Sequence, residues 1–285
     1  MSGTLHRLAA FTDTPSGGNP AGVWLGEALP EPAEMQRIAA EVGYSETAFI
    51  APSKGERRTV RYYSPEAEVS FCGHATVAGG VLMGQLSGAG SYLLDTAVGQ
   101  VSVTVNQVKG EWRASLVSVT PEFRPAESEL VESVCELLGW QGDELDLDIP
   151  PARAYAGAWH LVLACKTQQR LERLEYDFER LKALMLREGL TTLQLVWRES
   201  EGHFHARDPF PVGGVVEDPA TGAAAAALGG YLRDAGLLQA PAQLTIRQGE
   251  AMGRPSRLQV DVPLTGGIVV TGQAVSLEHW AGAAG

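Results

Sequence analysis

The hydrophobic and polar positions of this chain form a similar series of segments in each half. Residues 32–42 carry apolar side chains at intervals of three and four and are followed by Gly43, which predicts an amphipathic helix. Residues 129–138 and 174–186 give the same helical pattern in the second half. Alternating or β-branched segments predict strands at residues 5–11, 23–25, 47–51, 59–64, 92–108, 112–120, 153–165, 190–197, 203–207, 243–247, 258–262 and 268–277.

One further helical segment in each half has no polar face. Residues 75–83 contain no charged side chain, and residues 223–230 consist of alanine, leucine and glycine. A helix that is apolar on every side is buried on every side, either in a membrane or in a protein core. No apolar run in the chain reaches the ~18 residues that a membrane span requires. We therefore expect each helix to be surrounded by the strands of its own half.

Each apolar helix is preceded by a short motif, and the two motifs occupy similar positions. Residues 72–76 read Cys-Gly-His-Ala-Thr, and residues 218–222 read Asp-Pro-Ala-Thr-Gly. The residues before them share one spacing at an offset of 146 positions: Arg61, Pro65 and Cys72 correspond to Arg207, Pro211 and Asp218. An offset of about half the chain predicts an internal duplication. In this alignment Asp218 stands where the first motif has Cys72.

The order of segments predicts an α+β fold rather than a doubly wound parallel sheet, because strands and helices do not alternate strictly. We expect two pseudo-symmetric halves, each a sheet wrapped around its central apolar helix. The predicted halves are residues 1–122 and 123–285, joined at a polar, proline-containing linker at residues 121–128. The last strand, within residues 267–278, is expected to pack onto the first half.

Composition narrows the class of partner. The 285 residues carry a net charge of −12, which disfavours nucleic acid and anionic membranes as partners but allows a small anionic metabolite in a locally positive pocket. Three cysteines give neither a disulfide framework nor a zinc spacing. Residues 1–10 lack the apolar stretch of a signal peptide. We expect a cytoplasmic protein in a reducing compartment.

Both motifs lie at the start of a buried helix, where unpaired backbone N–H groups and the helix dipole attract anions. The backbone of residues 73–75 and 221–223 is therefore expected to bind an anionic group such as a carboxylate. If the halves pack face to face, the two helix starts would meet in one cleft, which is the predicted active site. The alternative is that Asp218, Thr76 or Thr221 only cap their helices.

Three side chains near the first motif could take part in proton transfer. Glu46 lies between a loop and an apolar strand, where a carboxylate can act as a general acid or base. His74 is the only histidine in either motif and could relay a proton or donate a hydrogen bond. Cys72 could be a thiolate base or simply a small buried residue. His203 and His205 alternate along a strand and are not expected to bind a metal, and we predict no metal site.

Together these motifs resemble the PhzF-like, phenazine biosynthesis-type family over residues 8–277. The motifs that carry the resemblance are Phe11, residues 18–23 (Gly-Asn-Pro-Ala-Gly-Val), 45–49 (Ser-Glu-Thr-Ala-Phe), 61–65, 72–76, 217–222, 248–249 and 253–255. The resemblance implies the fold of diaminopimelate epimerase, in which two similar halves are each a β-barrel-like sheet around a central helix and the site lies between them. It also implies a homodimer and a glutamate that moves a proton on the substrate without a metal or organic cofactor.

The resemblance assigns roles to individual residues. Glu46 corresponds to the proton-transferring glutamate, and His74 and Asp218 correspond to residues that hold the substrate and assist proton transfer. The residues expected to bind substrate are Asn19, Ser45, Cys72, Gly73, Ala75, Thr221, Gly222 and Ala223. The substrate of the phenazine-pathway member is trans-2,3-dihydro-3-hydroxyanthranilate. Members often have Ser or Asn where this chain has Ala223, which points to a different substrate here.

The sequence thus predicts a cofactor-independent isomerase that moves a proton on a small carboxylate-bearing molecule, such as a cyclic hydroxy-amino acid. Two alternatives stay open. One is a non-catalytic small-molecule binding protein on the same scaffold. The other is a two-base amino-acid epimerase, which Asp218 disfavours because it takes the place of a second thiol.

Overall fold

The computed structural model describes residues 3–53 and 57–277, which form two compact units. Unit 1 contains the described residues up to Val117 and from Thr271 onwards, and unit 2 is Ser118–Val270. The division therefore falls five residues before the predicted one. The predicted linker at residues 121–128 is not a linker, because residues 122–125 pair with a neighbouring strand.

Unit 1 contains two helices and most of its strands in one continuous stretch of chain. Its elements are β1 (Gly3–Ala10), β2 (Asn19–Gly26), α1 (Pro32–Val42), β3 (Thr47–Pro52), β4 (Arg58–Tyr63), β5 (Glu68–Val69), α2 (Gly73–Ser87), β6 (Gly90–Thr96), β7 (Gly99–Val108) and β8 (Glu111–Val117). The amphipathic helix begins and ends at the predicted residues. The segment predicted as one strand at 92–108 is a hairpin of two strands, because the chain turns before Gly99.

Unit 2 follows with four helices. Its elements are β9 (Glu122–Pro125), α3 (Ser128–Leu138), β10 (Ala152–Tyr155), β11 (Trp159–Cys165), α4 (Gln168–Glu172), α5 (Phe178–Glu188), β12 (Thr192–Ser200), β13 (His203–Pro209), β14 (Glu217–Asp218), α6 (Gly222–Asp234), β15 (Ala242–Gln248) and β16 (Ser256–Val262). Short 3₁₀ turns lie at Gly142–Glu144, Pro211–Gly213 and Glu250–Met252. The final strand, β17 (Val269–Ser276), returns to unit 1.

The strands of unit 1 close into a ring of eight. β1 and β2, β3 and β4, β6 and β7, and β7 and β8 pair antiparallel, while β2 and β3 and also β4 and β6 pair in parallel. β17 pairs with both β8 and β1 and closes the ring. This closed sheet confirms the barrel-like architecture that the family resemblance implies.

Helix α2 lies inside this barrel, as its lack of a polar face predicts. Every residue from His74 to Gly84 is buried, and the helix packs against β1, β2, β3, β7 and β8. The approach is close: a β-carbon added at Gly80 would lie 2.8 Å from the Val103 side chain and 2.9 Å from that of Ala114. No helix in the described ranges is both long and apolar enough to cross a membrane.

Unit 2 repeats the strand order of unit 1. β10 pairs with β11 antiparallel, β11 with β12 in parallel, β12 with β13 antiparallel, β13 with β15 in parallel and β15 with β16 antiparallel. The same alternation runs from β1 to β7, and α6 takes the place of α2, packing against β9, β10, β11 and β16. The internal duplication is therefore visible in the strand pairing.

The predicted alignment of the two motifs is wrong by three residues. Gly73 and Gly222, the first residues of α2 and α6, are 149 positions apart rather than 146. The three extra residues of the second copy lie between Arg207 and β14, where the chain makes the 3₁₀ turn Pro211–Gly213. The counterpart of Cys72 is therefore Thr221. The strand pairing Tyr62–Val69 recurs as Asp208–Asp218, so the counterpart of Asp218 is Val69.

Candidate active site

The predicted residues of unit 1 come together where α2 begins. Asn19 is the first residue of β2, Ser45 and Glu46 immediately precede the parallel neighbour β3, and Cys72 is the N-cap of α2. Because β2 and β3 run in parallel, their first residues lie at one end of the barrel. His74, the second residue of α2, is at this same end.

His74 is the centre of the cluster. Its Nδ1 lies 3.2 Å from Asn19 Nδ2 and 3.4 Å from Cys72 Sγ. Its Nε2 lies 3.4 Å from Glu46 Oε2 and 3.4 Å from Ser45 Oγ. One imidazole ring thus contacts four of the residues predicted to form the site.

The hydrogen bonds around His74 also select its tautomer. The Asn19 amide donates to Nδ1, which leaves the proton of a neutral imidazole on Nε2. That N–H faces the Glu46 carboxylate and the Ser45 hydroxyl. The ring is therefore oriented to present a donor to Glu46 or to a substrate group beside it.

Glu46 is held firmly but remains accessible. Its side chain is 17 % exposed, whereas that of His74 is 7 % exposed. Its backbone carbonyl accepts a hydrogen bond of 3.1 Å from the Gly22 N–H on the neighbouring strand. A β-carbon at Gly22 would lie 2.5 Å from Thr47 Oγ1, so glycine permits this close approach. The backbone of Glu46 is thus fixed at the end of the barrel, and its partly exposed carboxylate can be reached by a small molecule.

The start of α2 is suited to bind an anion. Cys72 makes no side-chain capping bond, so the first-turn N–H groups of residues 73–75 retain the positive end of the helix dipole. Thr76 does not cap the helix either: its hydroxyl donates to the Cys72 carbonyl at 2.6 Å and lies 2.6 Å from the Tyr62 hydroxyl. The capping alternative therefore does not hold for Thr76.

The same cluster has the donor types of a metal site. One donor atom each of Glu46, Cys72 and His74 lies within 4.8 Å of the others. Carboxylate, thiolate and imidazole are the ligands that zinc prefers. The absence of a metal, predicted from the sequence, remains a prediction that a chelator can test.

Unit 2 forms its own polar cluster at the start of α6. The hydroxyl of Thr221, the N-cap of α6, donates to Asp218 Oδ2 at 2.6 Å and makes no capping bond. Thr221, Gly222 and Ala223 are half-buried, so the helix start is accessible. The predicted substrate-binding residues of this unit thus adjoin each other, as those of unit 1 do.

Gln248 organises this second cluster, a role that the sequence did not reveal. Its amide nitrogen donates to the Asp218 carbonyl at 2.7 Å and lies 3.0 Å from Thr221 Oγ1. Its amide oxygen accepts from the Thr221 N–H at 3.1 Å. The only sequence signal was its place in the Gln248-Gly249 pair. A β-carbon at Gly249 would lie 2.7 Å from the Pro219 carbonyl, so only glycine allows Gln248 to reach this loop.

The chain is similar to known proteins over nearly its whole length. The family model for PhzC-PhzF, described as phenazine biosynthesis-like protein, matches residues 8–279. The uncharacterized isomerase YfhB of Bacillus subtilis is 30 % identical, covering 95 % of this chain and 96 % of the relative. An uncharacterized isomerase of Deinococcus radiodurans is 34 % identical over 91 % of this chain and 86 % of its own.

A solved structure agrees with these relatives. The Bacillus anthracis phenazine biosynthesis protein of the PhzF family superposes with a TM-score of 0.84 at 25 % identity, with 97 % of each chain covered. The names of the two sequence relatives share one reaction class, isomerisation. The protein is therefore an isomerase, and the chain belongs to the PhzC-PhzF family of phenazine biosynthesis-like proteins.

Proposed function

We propose that the protein isomerises a small carboxylate-bearing molecule, such as a cyclic hydroxy-amino acid, with Glu46 as the acid and base that moves the proton. The observation that carries the proposal is the contact between Glu46 and the His74 N–H beside the start of α2. No other carboxylate of unit 1 combines this accessibility, this fixed donor and an adjacent anion-binding helix start within the described residues.

The proposed reaction balances without an external oxidant or reductant. Glu46 takes a proton from a substrate carbon, the C–H bond breaks, and its electron pair enters the π-system of the substrate. The resulting Glu46 carboxylic acid then returns the proton to a different carbon, so that a new C–H bond forms and a double bond shifts. The helix start at Gly73 and Ala75 holds the substrate carboxylate while the charge moves.

The remaining residues of unit 1 orient this pair. Asn19 holds His74 in the tautomer that presents its proton to Glu46, and Ser45 offers a hydroxyl on the same side of the ring. The buried side chain of Cys72 contacts the His74 ring and helps to hold it in place. Preorganised donors of this kind stabilise developing charge because they need no reorientation during the reaction.

Roles for the second cluster are part of the same proposal. Asp218 is expected to orient the substrate, and the N–H groups of Thr221, Gly222 and Ala223 to bind an anionic group at the start of α6. The side chain of Ala223 offers no hydrogen bond, which favours a substrate other than the phenazine intermediate. The substrate class is small and anionic, and we further propose a homodimer, which sedimentation equilibrium would test.

The experiment is incorporation of solvent deuterium into a panel of cyclic hydroxy-amino acids and related carboxylates, first to find a substrate. Glu46→Gln is expected to lower exchange by at least about 100-fold, the usual contribution of a positioned general base. Ligand binding should persist, because the helix start is unchanged. Glu41→Gln, an exposed glutamate on α1, is the matched control and should leave exchange unchanged.

Two results would reject the assignment. Full exchange in Glu46→Gln would remove Glu46 from the chemistry. Binding without exchange in the unaltered protein, for every compound that binds, would favour the non-catalytic alternative. A two-thiol epimerase is already disfavoured by the structure, because the counterpart of Cys72 is Thr221, which is not a thiol.

A further inference from the structure

A row of polar side chains is buried inside unit 2. His160, Thr192, Gln194 and Asp208, on β11, β12 and β13, are each at most 1 % exposed. Their neighbours along β11 and β12, such as Leu161 and Leu193, pack into the apolar cluster that contains side chains of α3 and α5. Since side chains alternate along a strand, the polar row points to the opposite face, which is the face that holds α6.

The strand register places these residues side by side. His160 is the partner of Thr192 across the parallel pair of β11 and β12, and their side chains are 2.8 Å apart. Leu195 is the partner of Arg207, so Gln194 and Asp208 are neighbours one position further along the same antiparallel pair. Asp208 is in turn the partner of Asp218 across β13 and β14. The row therefore ends at the proposed substrate-binding carboxylate.

Burial and the lack of hydrogen bonds from the described residues both disfavour a negative charge on Asp208. Neither of its oxygens, and neither polar atom of the Gln194 amide, has a hydrogen-bond partner within residues 3–53 and 57–277. The Asp208 side chain is 0 % exposed. A buried carboxylate without a partner is so unfavourable that the group takes up a proton instead.

The surrounding charges act in the same direction. Burial raises the pKa of Asp208 well above its usual value, and the negative charges of Asp218 and Glu217 raise it further, while the Thr221 hydroxyl opposes them. Arg207, the neighbouring cation on β13, is engaged with Glu217 through a bond of 3.0 Å. Burial also lowers the pKa of His160 to about 3, so this imidazole supplies no positive charge.

We propose that Asp208 and Asp218 form a carboxyl pair that carries one proton and one negative charge, and that Asp208 is a positioning residue for Asp218. Side chains directly opposite in an antiparallel pair have β-carbons about 4.5–5.5 Å apart, and two like charges there are destabilising. Thr221 donates to the Asp218 carboxylate and Gln248 to the Asp218 backbone carbonyl, and these bonds oppose rotation of Asp218 away from Asp208. A shared proton removes the repulsion.

The pair has a consequence for the ligand. Asp218 adjoins the start of α6, where an anionic substrate is expected, and two full carboxylate charges would repel that substrate. One shared proton halves the charge and leaves Asp218 able to accept a hydrogen bond from a substrate hydroxyl or amine. The assignment of Asp218 to the substrate rests on the proposed function, but the existence of the pair does not.

The test is the pH dependence of stability in the unaltered protein and in Asp208→Asn. Because Asp208 holds its proton in the folded state and loses it near pH 3.9 in the unfolded state, its contribution to stability falls as pH rises, by up to tenfold in the unfolding equilibrium per pH unit. Asp208→Asn is neutral at all pH values and should gain stability relative to the unaltered protein between pH 5 and pH 8. Asp148→Asn, at a side chain that is 83 % exposed, is the control and should show no such gain.

A spectroscopic measurement covers the possibility that this variant does not fold. The infrared carbonyl band of a protonated carboxylic acid should be present in the unaltered protein at pH 7, where ordinary carboxyl groups are ionised. Asp208→Leu should lack that band, as should Asp208→Asn. No such band in the unaltered protein would overturn the proposal.

Two further outcomes would also overturn it. An equal effect of Asp208→Asn on stability at pH 5 and pH 8 would show that Asp208 is ionised in the folded protein. Stabilisation of the unaltered protein, but not of Asp208→Asn, by increasing potassium or calcium chloride would show that a cation and not a proton balances the charge. If Glu46→Gln fails to affect exchange while these measurements agree with the pair, only the proposed function is rejected.

Discussion

The two units place opposite kinds of side chain at three equivalent positions. Unit 1 has Ala48, Tyr62 and Val69 on neighbouring strands, and the Tyr62 hydroxyl is bonded to Thr76 of its central helix. Unit 2 has the equivalent positions occupied by Gln194, Asp208 and Asp218. One strand arrangement thus supports either an apolar barrel interior or a polar one.

The two units also differ in where their polar side chains lie. In unit 1 these three positions carry apolar or aromatic side chains, and the polar groups Glu46 and His74 lie at the end of the barrel, where α2 begins. In unit 2 the polar groups extend from that end into the interior, and Asp208 lies at 0 % exposure. Duplication therefore preserved the backbone and the helix starts while the side chains around them diverged.

The largest expected effect comes from the second residue of each central helix, which is His74 in α2 and Ala223 in α6. His74→Asn removes the donor that faces Glu46 and should lower solvent-deuterium exchange by about 100-fold. Ala223→Ser should alter KM and leave kcat nearly unchanged, because it adds a hydroxyl only at the anion-binding start. Equal losses of kcat in the two variants would show that the units share the chemistry evenly.

The next largest difference is expected between equivalent glycines of the two central helices, α2 and α6. A β-carbon at Gly80 would meet side chains at 2.8 and 2.9 Å, whereas at Gly229, its counterpart, the nearest atoms are at 3.1, 3.2 and 3.3 Å. Gly80→Ala should therefore reduce the free energy of unfolding by about 1–3 kcal/mol through overpacking. Gly229→Ala should reduce the free energy of unfolding less, because the contacts at Gly229 are longer. The preference of alanine for a helix, about 1 kcal/mol, can then offset more of the overpacking. Urea denaturation of both variants gives the comparison, and a larger loss at Gly229 would contradict it.

Acid should weaken unit 2 through His160. This imidazole is neutral when folded, with a pKa of about 3, and its pKa is about 6.5 when unfolded. The unfolded state therefore binds more protons below pH 6.5, and stability falls as the pH drops, by about 2 kcal/mol between pH 6.5 and pH 5. His160→Gln should lose this contribution. If thermal denaturation of His160→Gln and of the unaltered protein shows the same dependence of stability on pH, His160 is charged when folded.

The smallest expected effect is that of a chelator. If Glu46 moves the proton without a metal, dialysis against EDTA should leave solvent exchange unchanged, even though Glu46, Cys72 and His74 could hold an ion. Loss of exchange on chelation, with recovery on adding zinc, would make the cluster a metal centre and unit 1 a metalloenzyme site. Cys72→Ser distinguishes a metal-free site from a metal centre, because it removes one potential metal ligand and leaves Glu46 and His74 intact.

Much of the fold could be predicted from the sequence because the relevant patterns are local or periodic. The bounds of α1 followed from its apolar spacing and Gly43, and burial of α2 followed from its lack of a polar face. The closed barrel followed only through the family resemblance. Pairing of strands far apart in the chain, such as β17 with β1, leaves no local signal.

The candidate site was predicted less evenly. Residues in short motifs, such as Glu46 and His74, could be proposed from the sequence, and the structure brings these two into contact. Gln248 was missed because its role depends on a loop 27 residues earlier in the chain. Asp208 was missed because a charged residue beside Arg207 looks like the exposed end of a strand. The three-residue shift between the motifs arose because Pro211 appears in a different local structure from Pro65.

The strand that closes unit 1 is synthesised after every other strand of the described residues. Unit 2 is a continuous segment, Ser118–Val270, and can pair all its strands once that segment has emerged. The barrel around α2 needs β17, so the ends of β1 and β8 wait for residues 269–276 while the whole of unit 2 is synthesised. The half made first is therefore completed last, and such a long-range closure is slow and leaves strand edges exposed meanwhile. Nascent chains stalled before residue 269 should bind chaperones through β1 and β8, and those extended past residue 276 should release them.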